Sequence, residues 1–294
     1  MATALGGSAA ASAGFWAWSW RGRNRPASAV FEEVADGRRV VTSNGLPDHA
    51  TGDYPNAHDP VPIRSQSLRF EMPERPEAAG SSKPLAMWLF GVAVNGVPFD
   101  PSGPFWNRDG GSGWQFEVMA PANSVALGID ANHAHTQGRG QYHYHGLPTG
   151  LLWSLRRQEP ERPMLLLGYA ADGFPIYGPE APSRADDPKS PPKRLISGYR
   201  LKPGRRGGGP GGRFDGTFVE DFVYEAGRGD LDECNGRTGP TPEYPDGTYY
   251  YVLTDDFPYI PRFYRGEPDP TFRHGPPPGV SPPVPGELMR YRGT

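Results

Sequence analysis

Residues 132–146 read Asn132-His133-Ala134-His135-Thr136-Gln137-Gly138-Arg139-Gly140-Gln141-Tyr142-His143-Tyr144-His145-Gly146. Four of the chain's seven histidines fall in this stretch, as two His-x-His pairs. Over residues 141–145 the Tyr/His alternation has the two-residue period of a β-strand, in which side chains at i and i+2 share a face. His143 and His145 therefore project together, and Tyr142 and Tyr144 pack on the other side. Such a strand is a bidentate metal platform, because rigid backbone presents two imidazoles and imidazole is the commonest metal ligand. His135, just before the short turn at residues 136–140, is placed to supply a third nitrogen. His133 could supply it instead if that loop folds back.

Outward from this strand the chain is rich in turns. Gly (40) and Pro (36) make up about a quarter of the 294 residues, roughly twice ordinary usage. Disorder is excluded over most of the length by 7 Trp, 14 Tyr and 14 Phe, too many large rings for a chain that buries no core. Glycine shows no three-residue period, which excludes a collagen-like rod, and frequent helix breakers exclude a long bundle. Strand-like runs at residues 85–94, 114–119, 124–127, 141–145, 165–170, 218–225 and 248–253 are bounded by Gly, Pro, Asn or Asp. One helix is expected over residues 150–158, with Thr149 as its cap. The fold class expected is mainly β, or α+β with few short helices, in a single turn-rich globular domain. That domain spans residues 41–266, after an N-terminal extension at residues 1–40 and before a Pro-rich tail at residues 267–294. Residues 181–194 and 204–213 read as Pro- and Gly-rich insertions without structure, with Arg205 and Arg206 solvated.

Charge and cysteine usage narrow the partners. A net charge of −3 offers no basic field for nucleic acid. Cys234 is the only cysteine, so no intramolecular disulfide and no cysteine-based zinc finger can form. The uncharged start, residues 1–20, carries Arg21, Arg23 and Arg25 after its apolar part, the reverse of a secretory signal, and it is too weakly apolar for stable membrane insertion. Few carboxylates accompany the histidines. Asp130 is a candidate ligand or a group that orients one. Asp172, in Asp172-Gly173, reads as a turn residue.

Tyr142-His143-Tyr144-His145-Gly146-Leu147-Pro148 resembles the signature of the YHYH-domain proteins. Further strings resemble that family in order: Ser43-Asn44-Gly45-Leu46-Pro47-Asp48-His49, Asn95-Gly96-Val97-Pro98-Phe99-Asp100-Pro101, and residues 128–135. Downstream come Ala171-Asp172-Gly173-Phe174-Pro175, Asp232-Glu233-Cys234-Asn235-Gly236-Arg237, residues 245–251 and residues 257–262. The resemblance runs from about Thr42 to Gly266. It implies a shared fold and a shared His-rich site, with His135 as the expected histidine of its segment and His133 where the family has Asn. It carries no reaction, since the family is named for residues. The resemblance also implies a second cysteine where this chain has Phe263, so the family's disulfide cannot form here. Relatives are typically exported; the missing cysteine and the poor signal region point instead to a reducing compartment.

From these residues a metalloenzyme is expected, with His135, His143 and His145 as ligands and His49 as a fourth ligand or acid–base group. Copper is the first expectation for the cofactor and zinc the second, because imidazole-rich sites suit both. The chemistry expected is that of a metal-dependent oxidoreductase, or alternatively a hydrolase, on a small organic or peptide-like substrate. Asp172 and Arg237 are expected to bind substrate or orient ligands, since both lie in motifs shared with the family. The tyrosines at 142, 144 and 249–251 read as packing. The alternative class is a non-catalytic metal-binding or interaction module whose site is closed by four protein ligands.

Overall fold

A computed structural model describes residues 27–273, apart from 87 and 107–112. The chain enters as a hairpin of β1 (Val30–Ala35) and β2 (Arg38–Ser43), to which β3 (Leu68–Pro73) adds a third strand. The hairpin turns at Asp36-Gly37, where positive φ at both positions gives the turn whose twist matches its strands. Next come β4 (Lys83–Pro84), β5 (Gly91–Ala93), β6 (Pro98–Phe99), α1 (Pro121–Ala126), β7 (Ala134–Gln137) and β8 (Gln141–Tyr144). After α2 (Thr149–Gln158) follow β9 (Leu166–Ala170), β10 (Pro175–Tyr177), β11 (Glu180–Arg184) and β12 (Asp187–Arg194). The last strands are β13 (Tyr199–Leu201), β14 (Phe222–Tyr224), β15 (Gly236–Gly239), β16 (Thr248–Val252) and β17 (Phe263–Tyr264). The chain is mainly β, as its turn-rich composition implies. No helix among the described residues is long and apolar enough to cross a membrane.

Eight strands form the principal sheet in the order β15-β16-β10-β9-β5-β6-β8-β7, antiparallel except at β16/β10 and β6/β8. Its centre requires glycine. A Cβ on Gly168 would lie 2.2 Å from the Val92 carbonyl oxygen, and one on Gly91 would lie 2.4 Å from that of Tyr169. Those contacts let β5 and β9 approach without a side chain between them. Aromatic rings fill the space around these strands: Phe90 stacks on Tyr264 and meets Tyr251 edge-on, and Phe99 packs against Tyr144. All five are fully buried, so the rings counted in the sequence do build a core.

Several local expectations are corrected. Residues 30–40 are strand and turn rather than a loose extension, because Asp36-Gly37 joins two pairing runs; residues 1–26 lie outside the described residues. Residues 181–194 are a hairpin, β11 with β12, whose prolines are accommodated at a bulged, exposed edge. In residues 204–213 the Arg206 side chain is only 5% exposed and pairs with the fully buried Asp221, an anchor that glycine-rich surroundings concealed. Residues 124–127 belong mostly to α1, where Pro121 opens the helix. Strand pairing in residues 85–94 is confined to β5 and an isolated bridge at Trp88, and residues 114–119 carry only bridges at Gln115 and Phe116. Residues 218–225 divide into a 3₁₀ turn and β14. The helix α2 forms as expected, but Thr149 is its first residue and its hydroxyl donates to the Ala131 carbonyl instead of capping. The tail begins inside the fold, since Phe272 is buried and stacks on Phe70; residues from 274 on lie outside the described residues.

Candidate metal centre

The β7/β8 hairpin pairs His135 directly with His143. His145 follows two residues later on the same face, and its backbone N–H donates to the His133 carbonyl at 2.7 Å, which continues the pairing past the strand end. The three imidazoles form a nearly equilateral triangle. Ring centroids are 4.8 Å apart for His135 and His143, 5.0 Å for His135 and His145, and 4.6 Å for His143 and His145. One ring nitrogen from each can be chosen so that all three lie within 4.8 Å of one another. The sequence period of two and the three-residue turn at residues 138–140 therefore build the triad between them.

The centre is dry and its rings are polarised toward ligation. His143 and His145 are 1% and 2% exposed, and the side chain of His135 retains 12%, so solvent approaches past His135. The Nδ1–H of His135 donates to the Leu127 carbonyl at 2.9 Å, and that of His143 to the Gln141 carbonyl at 3.2 Å. A carbonyl only accepts, so each bond fixes the tautomer that keeps the lone pair on Nε2. Neither ring nitrogen of the buried His145 has a hydrogen-bond partner. Leaving such an atom unpaired in the interior costs about 1–3 kcal/mol, which coordination would relieve. Burial, followed by the neighbouring His143 and His135, holds His145 well below the usual imidazole range, and burial likewise lowers His135. Neutral imidazole is the form that ligates.

Two carboxylates that the sequence reading did not assign support this hairpin. Asp59 accepts from the backbone N–H and the hydroxyl of Thr136, at 2.9 and 2.8 Å, and lies 3.6 Å from His135 Nδ1. No local pattern in His58-Asp59-Pro60 signals this, since the loop arrives from 77 residues upstream. Asp100 is 2% exposed, and its backbone N–H donates to the Tyr144 carbonyl at 2.8 Å. Its charge favours the protonated forms of both His135 and His145. Asp100 ends one of the family-like strings, which was the available signal. Beyond it, the buried Arg262 pairs with Glu117 at 2.6 Å.

The other expected site residues lie elsewhere. His49 is corrected: it stacks on Tyr144, on the face of β8 opposite His143 and His145, with ring centroids 5.8 Å apart. Its Nδ1–H donates to the Ala50 carbonyl, and its Nε2 accepts the Tyr144 hydroxyl at 2.6 Å. Asp130 is on that face too, accepting from the Tyr142 hydroxyl and the Gly52 N–H. His133 turns away from the triad, with φ +55° and Nδ1–H donating to the Leu147 carbonyl. Asp172 is 1% exposed and accepts from the Tyr251 hydroxyl at 2.5 Å and the Gly266 N–H at 2.8 Å, holding a turn rather than facing an open site. Arg237 donates to the Tyr250 hydroxyl and the Pro182 carbonyl. It sits on β15, and five strands intervene before β8, about 29 Å at ~4.8 Å per strand. Neither Asp172 nor Arg237 joins the triad. The tyrosines are buried packing residues whose hydroxyls find partners. Cys234 is buried with its Sγ 3.8 Å from the Tyr264 carbonyl, beside the segment that carries Phe263.

A strand-rich fold with a buried tri-histidine cluster on an edge hairpin defines the class of protein at hand. The family model described as "YHYH protein" matches residues 69–266, and the chain belongs to that family. The match takes in the triad, while the string containing His49 precedes it. No curated protein and no solved structure matches the chain.

Proposed function

We propose that the protein is a metalloprotein in which His135, His143 and His145 hold one transition-metal ion, copper first and zinc second. The observation that carries this reading is the orphaned imidazole of His145, buried with no hydrogen-bond partner on either nitrogen and facing the imidazoles of His135 and His143. Three imidazoles suit either metal. A His-only set of three leaves a coordination position for substrate or water, the pattern of catalytic rather than structural sites. A bound ion would supply Lewis acidity or a redox couple at this position. The residues of the chain would do the rest: the Leu127 and Gln141 carbonyls orient two rings, Asp59 fixes β7, and the buried setting limits water to the His135 side. On this reading the protein is a metal-dependent oxidoreductase acting on a small organic or peptide-like substrate, or with zinc a hydrolase.

A second reading, a closed non-catalytic metal site, draws support from the near-complete burial of His143 and His145. Among the described residues no fourth ligand joins the three histidines, and His49 is engaged by Tyr144. Elemental analysis and EPR of untagged protein test the proposal. One equivalent of metal is expected, lost in the His143→Ala/His145→Ala double variant. Metal-free protein that takes up neither copper nor zinc would overturn it.

A further inference from the structure

A cavity of about 420 Å³ opens between α2 and the chain entering β11, within the size range of small-molecule sites, about 300–1,000 Å³. None of the three triad imidazoles lines it, so it is a place separate from the metal centre. Leu147, Leu152 and Leu165 give it an apolar lining. Trp153, 63% exposed, adds an indole that the fold leaves uncovered, with the Arg157 guanidinium over its ring.

The polar part of the lining alternates in sign. Arg156 donates to Glu180 at 2.7 Å, Glu180 lies 3.6 Å from Arg194 Nη1, and Arg194 makes a forked pair with Asp255. Arg194 Nη1 and Glu180 form a loose ion pair at 3.6 Å with no hydrogen bond, a contact that an incoming carboxylate can replace. Glu180 and Asp255 are about half exposed and can accept from an ammonium group. His133 also lines the cavity, with Nδ1–H donating to the Leu147 carbonyl. Its φ of +55° is one that non-glycine residues rarely hold, and such positions cluster at ligand sites. Space is kept by Gly178, where an added Cβ would come within 3.2 Å of Leu152 Cδ1.

Two cations and two anions beside an apolar lining match a ligand that is itself zwitterionic and apolar. We infer that this cavity binds a free α-amino acid with a large apolar side chain, its carboxylate on Arg194, its ammonium on Glu180 or Asp255, and its side chain among the leucines and Trp153. This goes beyond the metal-centre reading and stands without it.

Calorimetric titration of the full chain, with and without copper, tests the inference. L-Phenylalanine is the probe, with 3-phenylpropionate, phenethylamine and glycine as analogues lacking the ammonium, the carboxylate and the apolar body. Saturable binding of phenylalanine is expected in both metal states, with each analogue weaker by about tenfold or more, since each lacks a charge-assisted bond or the apolar contact. Gly178→Leu, which fills the cavity, and Arg194→Gln, an exposed change that leaves the core alone, are each expected to weaken phenylalanine by a similar factor. No saturable binding at millimolar concentration overturns the proposal. So does equal binding of a singly charged analogue, or an Arg194→Gln variant that binds as well as the parent. Because the readout needs no metal, its failure is distinct from failure of the metal site.

Discussion

The Nε2 of His49 accepts the hydroxyl proton of Tyr144 at 2.6 Å, across the strand from the two histidines that flank that tyrosine. Asn95 also donates to the same hydroxyl oxygen at 2.9 Å and to Asp48 at 2.9 Å. The string Asp48-His49 is therefore bound to the structure through the tyrosine face of β8, while the histidine face makes the triad. One strand of alternating residues serves two separate polar clusters, which makes their contributions separable by mutation.

His49→Ala should leave the metal stoichiometry unchanged and lower stability by about 1–3 kcal/mol, the usual effect of stranding a buried hydroxyl. Denaturant unfolding and elemental analysis read the two outcomes independently. Added to Tyr144→Phe, which itself costs Asn95 an acceptor, His49→Ala should cost little more, because the hydroxyl it would strand is already gone. Loss of metal from the single variant would return His49 to the ligand set.

What the sequence made legible was local. A period of two over residues 141–145, followed backward across two glycines to His135, was sufficient for the hairpin and the triad, because register within a short turn follows from chain spacing. The same reasoning located β9, β16 and α2 within a residue or two. It failed where partners come from far along the chain. Asp59 reaches Thr136 across 77 residues, and His49 lands on the wrong face for ligation although its string looked like part of the site. Composition misled at residues 181–194, where Pro and charge disguised an exposed hairpin, and at Arg206, whose burial depends on Asp221 in a later turn. Family-like motifs drew Asp172 and Arg237 into the expected site, whereas their contacts hold a turn and a strand away from the triad.

Asp59 links that distant loop to the hairpin of the histidine triad, and its removal should be felt in both stability and, on the proposed function, metal affinity. Asp59→Ala strands the buried Thr136 N–H, leaves its hydroxyl only the Val61 carbonyl, and frees the strand that carries His135. Metal affinity, measured by chelator competition, should fall about 10–100-fold, as for other groups that hold ligands in place. Asp59→Asn keeps an acceptor oxygen and should recover most of the loss. Unchanged affinity in Asp59→Ala would separate the loop from the site.

Gly168→Ala should be the most damaging single-methyl change in the sheet. Its Cβ would lie 2.2 Å from the Val92 carbonyl oxygen and 2.8 Å from the Ala93 Cα, both backbone atoms with no rotamer to yield. Separating β5 from β9 breaks pairing at the centre of the eight strands, so a loss of about 3 kcal/mol or more is expected, beyond the usual range for surface changes. Gly207→Ala, where a Cβ meets nothing within 4 Å, is the matched control. Equal melting temperatures for the two variants would contradict the close approach.

Asp172 gives the fold a defined pH response. Burial raises its carboxyl from 3.8 to about 6, against the opposing pull of the Tyr251 hydroxyl and the Gly266 and Phe174 N–H groups. Between those values the native state holds a proton that the unfolded chain has released. The stabilisation from this group is therefore complete below pH 3.8 and is lost as the pH rises through 6. Its size is on the order of 3 kcal/mol, from about 1.4 kcal/mol per unit. Glu117, Glu220 and Asp232 are also raised by burial and act in the same sense, so the comparison must be between variants rather than between pH values alone. Asp172→Asn stays neutral at every pH and offers Tyr251 and Gly266 an amide oxygen. Chemical unfolding of the two proteins between pH 4 and 7 should show the parent losing stability relative to the variant as the pH rises. Parallel profiles would mean that Asp172 is ionised in the folded protein throughout this range, with its hydrogen-bond donors outweighing its burial.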